Sequence, residues 1–217
     1  MLFENVSIAG LAHVDAPHTL TSLEINERLK PTFERLRIRA DMLGDIAGVH
    51  ARRLWDPGTQ ASDAAGVAAR RVLEQTGVRA DQLGMVINTS VSRDYLEPST
   101  AAIVSGKLGV GERCITFDIA NACLAFVNGM DMAARLIEVG DVQYALVVDA
   151  ETSNLVYEKT IERLSRPDVS AEEVKNELAA LTTGSGAAAM LMCHRSLAPD
   201  APRYRGAVTR SANQFSH

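Results

Sequence analysis

The amino-acid sequence predicts an α/β domain: five strands in one largely parallel sheet, with helices layered on both faces. Three observations carry that expectation. Short apolar, β-rich runs alternate with helical segments, the order expected of right-handed strand–helix–strand units. The run YALVVDA at 144–150 is a continuous apolar stretch of the kind found in a strand covered on both faces. The segment after Cys123 places apolar residues all round a helical axis, so that helix is expected to be buried on most sides.

Taken in order, residues 5–13 (NVSIAGLAH) read as the first strand. Thr21 and Glu24 have capping-box spacing and open a helical region, expected to break near Pro31, where the ring removes a backbone donor. GVHARRLWD at 48–56 has mixed character. A helix over 62–76 starts at Ser62 and stops at Gly77, and MVINTS at 85–90 is the second strand. Helix 99–108 begins after Pro98 and ends before Gly109, and CITFDI at 114–119 supplies strand three. The next helix starts at about Cys123, carries Leu124, Phe126, Val127, Met130, Met132, Ala133, Ala134, Leu136 and Ile137, and closes at Gly140. Strand four is 144–150. A polar insert over 151–183 contains a second capping box, Ser170 with Glu173, opening a helix over 171–181. GAAAMLMC at 186–193 is strand five, and the terminal RYRGAVTRSANQFSH reads as a strand leading onward, so 203–217 is expected to begin a connection to further chain.

With 47% apolar and 23% charged residues and a net charge of −5, the composition is that of a folded globular chain. No sustained basic run tracks a phosphate backbone or an anionic membrane, which argues against nucleic acid as a partner. No stretch of about 18 apolar residues and no leader-like N-terminus is present, so a cytoplasmic protein without an integral membrane segment is expected. Cys114, Cys123 and Cys193 are odd in number and lack CxxC spacing, which argues against a disulfide framework or a metal site and for a reducing compartment.

Within FDIANACLAFVNGMD a strand ends, small residues form a turn, and Cys123 falls on the first turn of the following helix. Backbone N–H groups and the positive end of the helix dipole at such a position favour a thiolate. The same groups can receive the oxyanion formed when a thioester carbonyl is attacked. Ala120, Asn121 and Ala122 leave room for a substrate. Taken alone, Cys123 reads more readily as one more small buried residue, as free cysteines usually are, and Cys114 and Cys193, inside or ending strands, read as core.

GVHARR at 48–53, INTSVSRDYLEPST at 87–100, FDIANACLAFVNGMDMA at 117–133, ALVVDAET at 145–152 and LTTGSGAAAMLM at 181–192 together form a specific set. Through them the sequence resembles the ketoacyl-synthase III-like branch of the thiolase superfamily, most closely the OleA-type enzymes that join two fatty acyl chains head to head. The resemblance runs over the whole chain and covers about the first two-thirds of a family member. It implies a thiolase-like layered fold of two similar halves, of which 1–217 is the N-terminal one, with a mixed five-stranded sheet in the order 3-2-1-4-5 around a buried central helix. Cys123 matches the family's acyl-accepting cysteine. Glu97 matches the glutamate that reaches across the dimer to the partner's active site and takes the α-proton of the second acyl group; without the match it reads as a solvated loop carboxylate. Asn121 borders the substrate approach, and Trp55 lies in the segment that helps shape the CoA entrance, or simply packs.

The family's catalytic His and Asn and a late oxyanion-hole glycine belong to the C-terminal half. His13, His18, His50, His194 and His217 match none of these positions. The resemblance therefore implies a Claisen condensation of two acyl-CoA thioesters through acyl-Cys123, with no cofactor or metal beyond the acyl-CoA substrates, in a homodimer that needs the C-terminal half of the same enzyme. The alternatives are a synthase III that uses malonyl-carrier protein, a non-catalytic half serving as scaffold, and a cysteine hydrolase, which lacks an identifiable His partner.

Overall fold

Side chains of a strand alternate between the two faces of its sheet, so a strand buried at every position must have a layer on each side. The structure, a computed structural model, describes residues 2–39, 42–212 and 214. The chain runs β1 (Val6–Asp15), β2 (His18–Thr21), α1 (Ser22–Leu36), α2 (Met42–Asp45), β3 (Ala51–Leu54), α3 (Ala61–Thr76), β4 (Met85–Asn88), α4 (Thr100–Leu108), β5 (Ile115–Asp118), α5 (Ala125–Glu138), β6 (Tyr144–Glu151), α6 (Asn154–Leu164), α7 (Ala171–Glu177) and β7 (Gly186–His194). Both capping boxes form, at Thr21 with Glu24 and at Ser170 with Glu173. Gly77 and Gly109 end α3 and α4 with φ of 69° and 70°, a left-handed conformation that costs glycine nothing.

Several local expectations are corrected. Pro31 does not break α1: Ile25, Leu29 and Phe33 form one buried stripe that continues across it, and their burial outweighs the lost backbone donor. The insert after β6 holds an unanticipated helix, α6, and the helix that opens at Ser170 ends at Glu177 before a 3₁₀ turn over Leu178–Thr182. Together with α1, these helices build a core of their own, around Leu29, Phe33, Ile161, Leu164 and Leu181. The mixed segment at 48–56 contains β3, which pairs antiparallel with β2. Of the terminal strand expected over 203–217, whose residues 213 and 215–217 lie outside the described residues, the described part forms only an isolated bridge, Arg203 to Ser7, although residues 202–205 run beside β1 through bonds such as Tyr204 N–H to the Val6 carbonyl, 3.0 Å.

The five-stranded sheet has the order β1-β7-β6-β4-β5. Numbered as the sequence suggested, that is 3-2-4-5-1, not 3-2-1-4-5: the first strand lies at an edge. The physical reason is burial. β4 is buried at all four positions, as a central strand must be, whereas β1 alternates and leaves Leu11 exposed. The sheet is mixed: β4 is parallel to β5 and β6, while β7 is antiparallel to β6 and β1. The largely parallel sheet expected from element alternation fails because the connection from β6 to β7 folds on its own core instead of crossing back as one covering helix.

Alternation assigns the layers. Val86, Leu146, Val148 and Leu191 face α3 and α4, while Met85, Ile87, Ala145, Val147 and Met192 face α5. α5 approaches closely because Gly129 lies against the sheet; a Cβ there would stand 2.9 Å from Thr89 Cγ2 and 3.0 Å from Val147 Cγ1. The all-round burial expected for α5 holds on one side only. Ala133, Ala134 and Ile137 are buried, but Leu124, Val127 and Met132 are 61%, 45% and 42% exposed, with no described residue covering them.

Gly129→Ala forces Thr89 or Val147 to shift, and overpacking of this kind costs about 1–3 kcal/mol. A chemical-denaturation curve is expected to show the loss as a lower midpoint at unchanged slope; a midpoint equal to the parent's would mean that α5 is not held by this contact.

Candidate active site

Between β5 and α5 the chain reverses through a 3₁₀ turn, Ala122–Leu124, that carries Cys123. Ala122 has φ of +43°, a left-handed conformation that costs an alanine energy and that concentrates at functional turns. The turn is therefore one step further from the helix proper than the sequence suggested, since α5 begins at Ala125. Cys123 still stands at the N-terminal end of a 14-residue helix, where partial positive charge favours negative charge developing on an attacking sulfur or a carbonyl oxygen.

Cys123 is exposed to an open cavity of about 540 Å³, walled by Val91, Ser92, Asp149, Glu151, Val156 and Thr183. Two carboxylates two residues apart at the C-terminal end of β6 thus share the thiol's cavity. Burial pushes the Asp149 carboxyl above its ordinary value; the hydroxyl of Thr89, 2.7 Å away, opposes that shift and the nearby Glu151 adds to it. Glu151 is held differently. Its Oε1 accepts the Val91 N–H at 2.7 Å, and its Oε2 accepts the Ser92 N–H at 3.0 Å and the Ser92 hydroxyl at 2.6 Å.

These bonds extend the β4–β6 ladder beyond its last backbone pair. The Ser90 hydroxyl accepts the Ala150 N–H at 2.7 Å, and the Ser92 hydroxyl accepts the Thr152 N–H at 3.0 Å. Beyond them the segment to α4 swings out. Asp94 Oδ1 accepts the Ser62 N–H at 3.0 Å, at the start of α3, and Asp118 accepts the Thr100 and Ala101 N–H groups at 2.9 and 2.8 Å. Between these anchors Tyr95, Leu96 and Glu97 are exposed, Leu96 by 89%. Glu97 does not line the Cys123 cavity of its own chain.

Asn121 lies beside the cysteine turn but outside the cavity wall, its amide donating to Asn128 Oδ1 at 2.6 Å. Trp55 is buried behind the end of β6, its indole N–H on the Glu151 carbonyl at 3.1 Å and its backbone bonded to Asn154. Cys193 is buried in β7 and Cys114, just before β5, is half-buried, and desolvation raises both thiols, Cys114 to about 11. None of His13, His18, His50 and His194 lines the cavity; His18 pairs with Asp56 and His194 with Ser196 at the surface, and His217 lies outside the described residues. Asp149, Glu151 and Ser92 were not singled out from sequence. The available signal was a pair of carboxylates ending an apolar strand, since in α/β sheets ligands bind beyond the carboxyl ends of strands.

The family model described as 3-oxoacyl-[acyl-carrier-protein] synthase III matches residues 117–201, the span that holds Cys123 and the carboxylate pair. An acyl-CoA:acyl-CoA alkyltransferase of Xanthomonas campestris pv. campestris is 68% identical over 216 residues, and one of Shewanella oneidensis is 36% identical over 197. The chain is thus similar to acyl-CoA-condensing enzymes over nearly its whole length, and to the synthase III family over 117–201. It spans 64% and 56% of the length of these two relatives, corresponding to their N-terminal part. Two crystal structures of X. campestris OleA, one with bound acetamide and one of a cysteine-to-serine variant with bound lauric acid and lauroyl-CoA, superpose with TM-scores of 0.98 and 0.97 at 68% and 67% identity. They cover 100% and 99% of this chain, and it covers 66% and 64% of theirs.

Because folding raises the Asp149 carboxyl above 3.8, the folded chain binds more protons there than the unfolded chain, and this group weakens the fold as pH rises from near 3.8 through the raised value. Asp149→Asn removes that contribution while leaving an acceptor for Thr89. The stability difference, variant minus parent, is expected to grow with pH across that window when urea midpoints are compared. A difference independent of pH would show that burial does not raise the Asp149 carboxyl.

Proposed function

We propose that this chain carries the acyl-accepting part of an enzyme that joins two fatty acyl-CoA thioesters by Claisen condensation. The observation that supports it most is the placing of Cys123, on a strained turn at a helix N-terminus and open to a cavity, while Cys193 is buried in β7 and Cys114 is half-buried before β5. In this reading the Cys123 sulfur attacks the carbonyl carbon of the first acyl-CoA, the bond from that carbon to CoA sulfur breaks, and CoA leaves as the thiol. The second acyl-CoA loses an α-proton to Glu97, and its carbanion attacks the Cys123 thioester. The cysteine is released as thiol and a β-ketoacyl-CoA forms.

The reading includes a homodimer and a C-terminal half, with 1–217 as the N-terminal half, 151–183 its helical insert and 203–217 the start of the connection. β5 is an edge strand whose free side is unpaired among the described residues and whose Ile115 is 46% exposed, an arrangement that favours pairing with a second copy. An exposed loop tip bearing Glu97 outside its own cavity suits delivery to a partner's thiol. The apolar face of α5 calls for a covering layer, and a His, an Asn and a further oxyanion donor from that layer complete the chemistry. Asn121 and Trp55 border the substrate path in this proposal, Trp55 by supporting the wall at Glu151. The free thiols suit a reducing, cytoplasmic setting, and no helix among the described residues is long and apolar enough to cross a membrane. A second reading, condensation with malonyl-carrier protein, draws on the family model matched at 117–201; there decarboxylation replaces proton removal, and Glu97 would be dispensable.

Incubation with a long-chain acyl-CoA and peptide mass mapping is expected to find the acyl group on Cys123. Label on Cys114 or Cys193 in its place would sink the assignment.

Condensation itself is expected only when a C-terminal half is supplied, since losing even one oxyanion donor costs on the order of 10²- to 10³-fold. Within that assembly Cys123→Ala and Glu97→Gln are each expected to abolish β-keto product, and co-assembled protomers of the two variants to restore it, because a hybrid dimer rebuilds one intact site. Hybrids that stay inactive would refute the crossing of Glu97 between protomers. Glu97→Gln that condenses a malonyl thioester as fast as the parent would favour the malonyl reading.

A further inference from the structure

We infer that Glu151 is a positioning residue for condensation, locking the arm that bears Glu97 to the wall of the Cys123 cavity; the inference rests on the condensation reading above. Both side-chain oxygens of Glu151 are occupied. Three donors from two consecutive residues, Val91 and Ser92, converge on them at 2.6 to 3.0 Å. Bonds to an ionised acceptor are about twice as strong as neutral ones, so the first turn of the arm is held tightly. The arm's two other anchors lie elsewhere: Asp94, within the arm, accepts the Ser62 N–H at the start of α3, and Asp118, at the end of β5, accepts the Thr100 and Ala101 N–H groups where the arm enters α4. Glu151 alone among the three also lines the cavity of Cys123. Its own backbone is fixed in turn, its carbonyl accepting the Trp55 indole N–H at 3.1 Å.

One side chain therefore links the position of the arm to the position of the acyl-bearing wall. Condensation is sensitive to that link and acyl capture is not equally so. Capture needs the thiol, its turn and an incoming thioester. Condensation needs, in addition, a base placed within hydrogen-bond reach of an α-carbon, and a displacement of about 1 Å can cost as much as 10²-fold. In a dimer each arm carries a base away from its own cavity, so loosening the arm on one protomer is felt at the other's thiol.

Glu151→Gln is the direct test. A glutamine keeps the size and one acceptor oxygen but turns an NH₂ group toward donors it cannot accept, so part of the clamp opens. In the assembly containing the C-terminal half, single-turnover acylation of Cys123 and steady-state condensation are measured side by side. Condensation is expected to fall about 10- to 100-fold further than acylation. In a Glu97→Asp background, which keeps a displaced base and a measurable residual rate, Glu151→Gln is expected to add little to the loss of condensation, because its effect runs through the base at position 97. Ser92→Ala, which removes one of the three donors, is expected to act in the same direction with a smaller effect, and serves if the glutamine variant folds poorly. Equal losses in acylation and condensation, or losses that multiply in the double variant, would overturn the inference by showing that Glu151 merely supports the fold. A parent that fails to acylate Cys123 at all would break the functional reading instead. The clamp is then still decided in the 217-residue chain by hydrogen exchange at the Val91 and Ser92 amides, where protection unaltered by Glu151→Gln overturns it.

Discussion

The parallel pairing of β4 with β6 is the constraint on which the rest of this structure depends. Both strands are buried on two faces, β4 completely, so neither can slip by a residue without turning an apolar row from one helical layer to the other. The register that results sets Asn88 opposite Val148. Past that point the backbones diverge and hydroxyl and carboxylate groups continue the pairing through Ser90, Ser92 and Glu151. The sheet thus ends in polar groups whose positions are inherited from its apolar interior.

The cysteine turn depends on the same sheet from the other side. α5 can lie close only because Gly129 offers no side chain to Thr89 and Val147, and that approach sets where the N-terminus of α5, and so the left-handed turn at Ala122, must stand. Overpacking at Gly129 and loosening at Glu151 are for this reason different injuries. The first moves the thiol relative to the sheet, and the second moves the arm relative to the thiol.

Much of this was legible in the order of residues. Strand and helix positions followed from apolar runs, from the capping boxes at Thr21 and Ser170 and from the glycine stops at 77 and 109, because these signals act over a few residues and owe little to distant contacts. The motif around Cys123 was equally plain. α6 and the unbroken passage of α1 through Pro31 were not, since both are stabilised by one another across more than a hundred residues of sequence, as in the bond from Thr32 Oγ1 to the Leu164 carbonyl.

By itself the sequence determined the positions of most elements, the candidate nucleophile and the resemblance to OleA-type enzymes, all of which rest on contiguous motifs. Tertiary structure alone decided the strand order, the exposed flank of α5 and the gathering of Asp149 and Glu151 at the cysteine. Each of these depends on which side of a strand faces which partner. That choice is settled by the burial of whole layers against one another, and local propensity is the same whichever strand ends at the edge. β1 shows this most directly: its residues read as a strand in isolation, but only the doubly buried β4, β6 and β7 leave it no place except the rim.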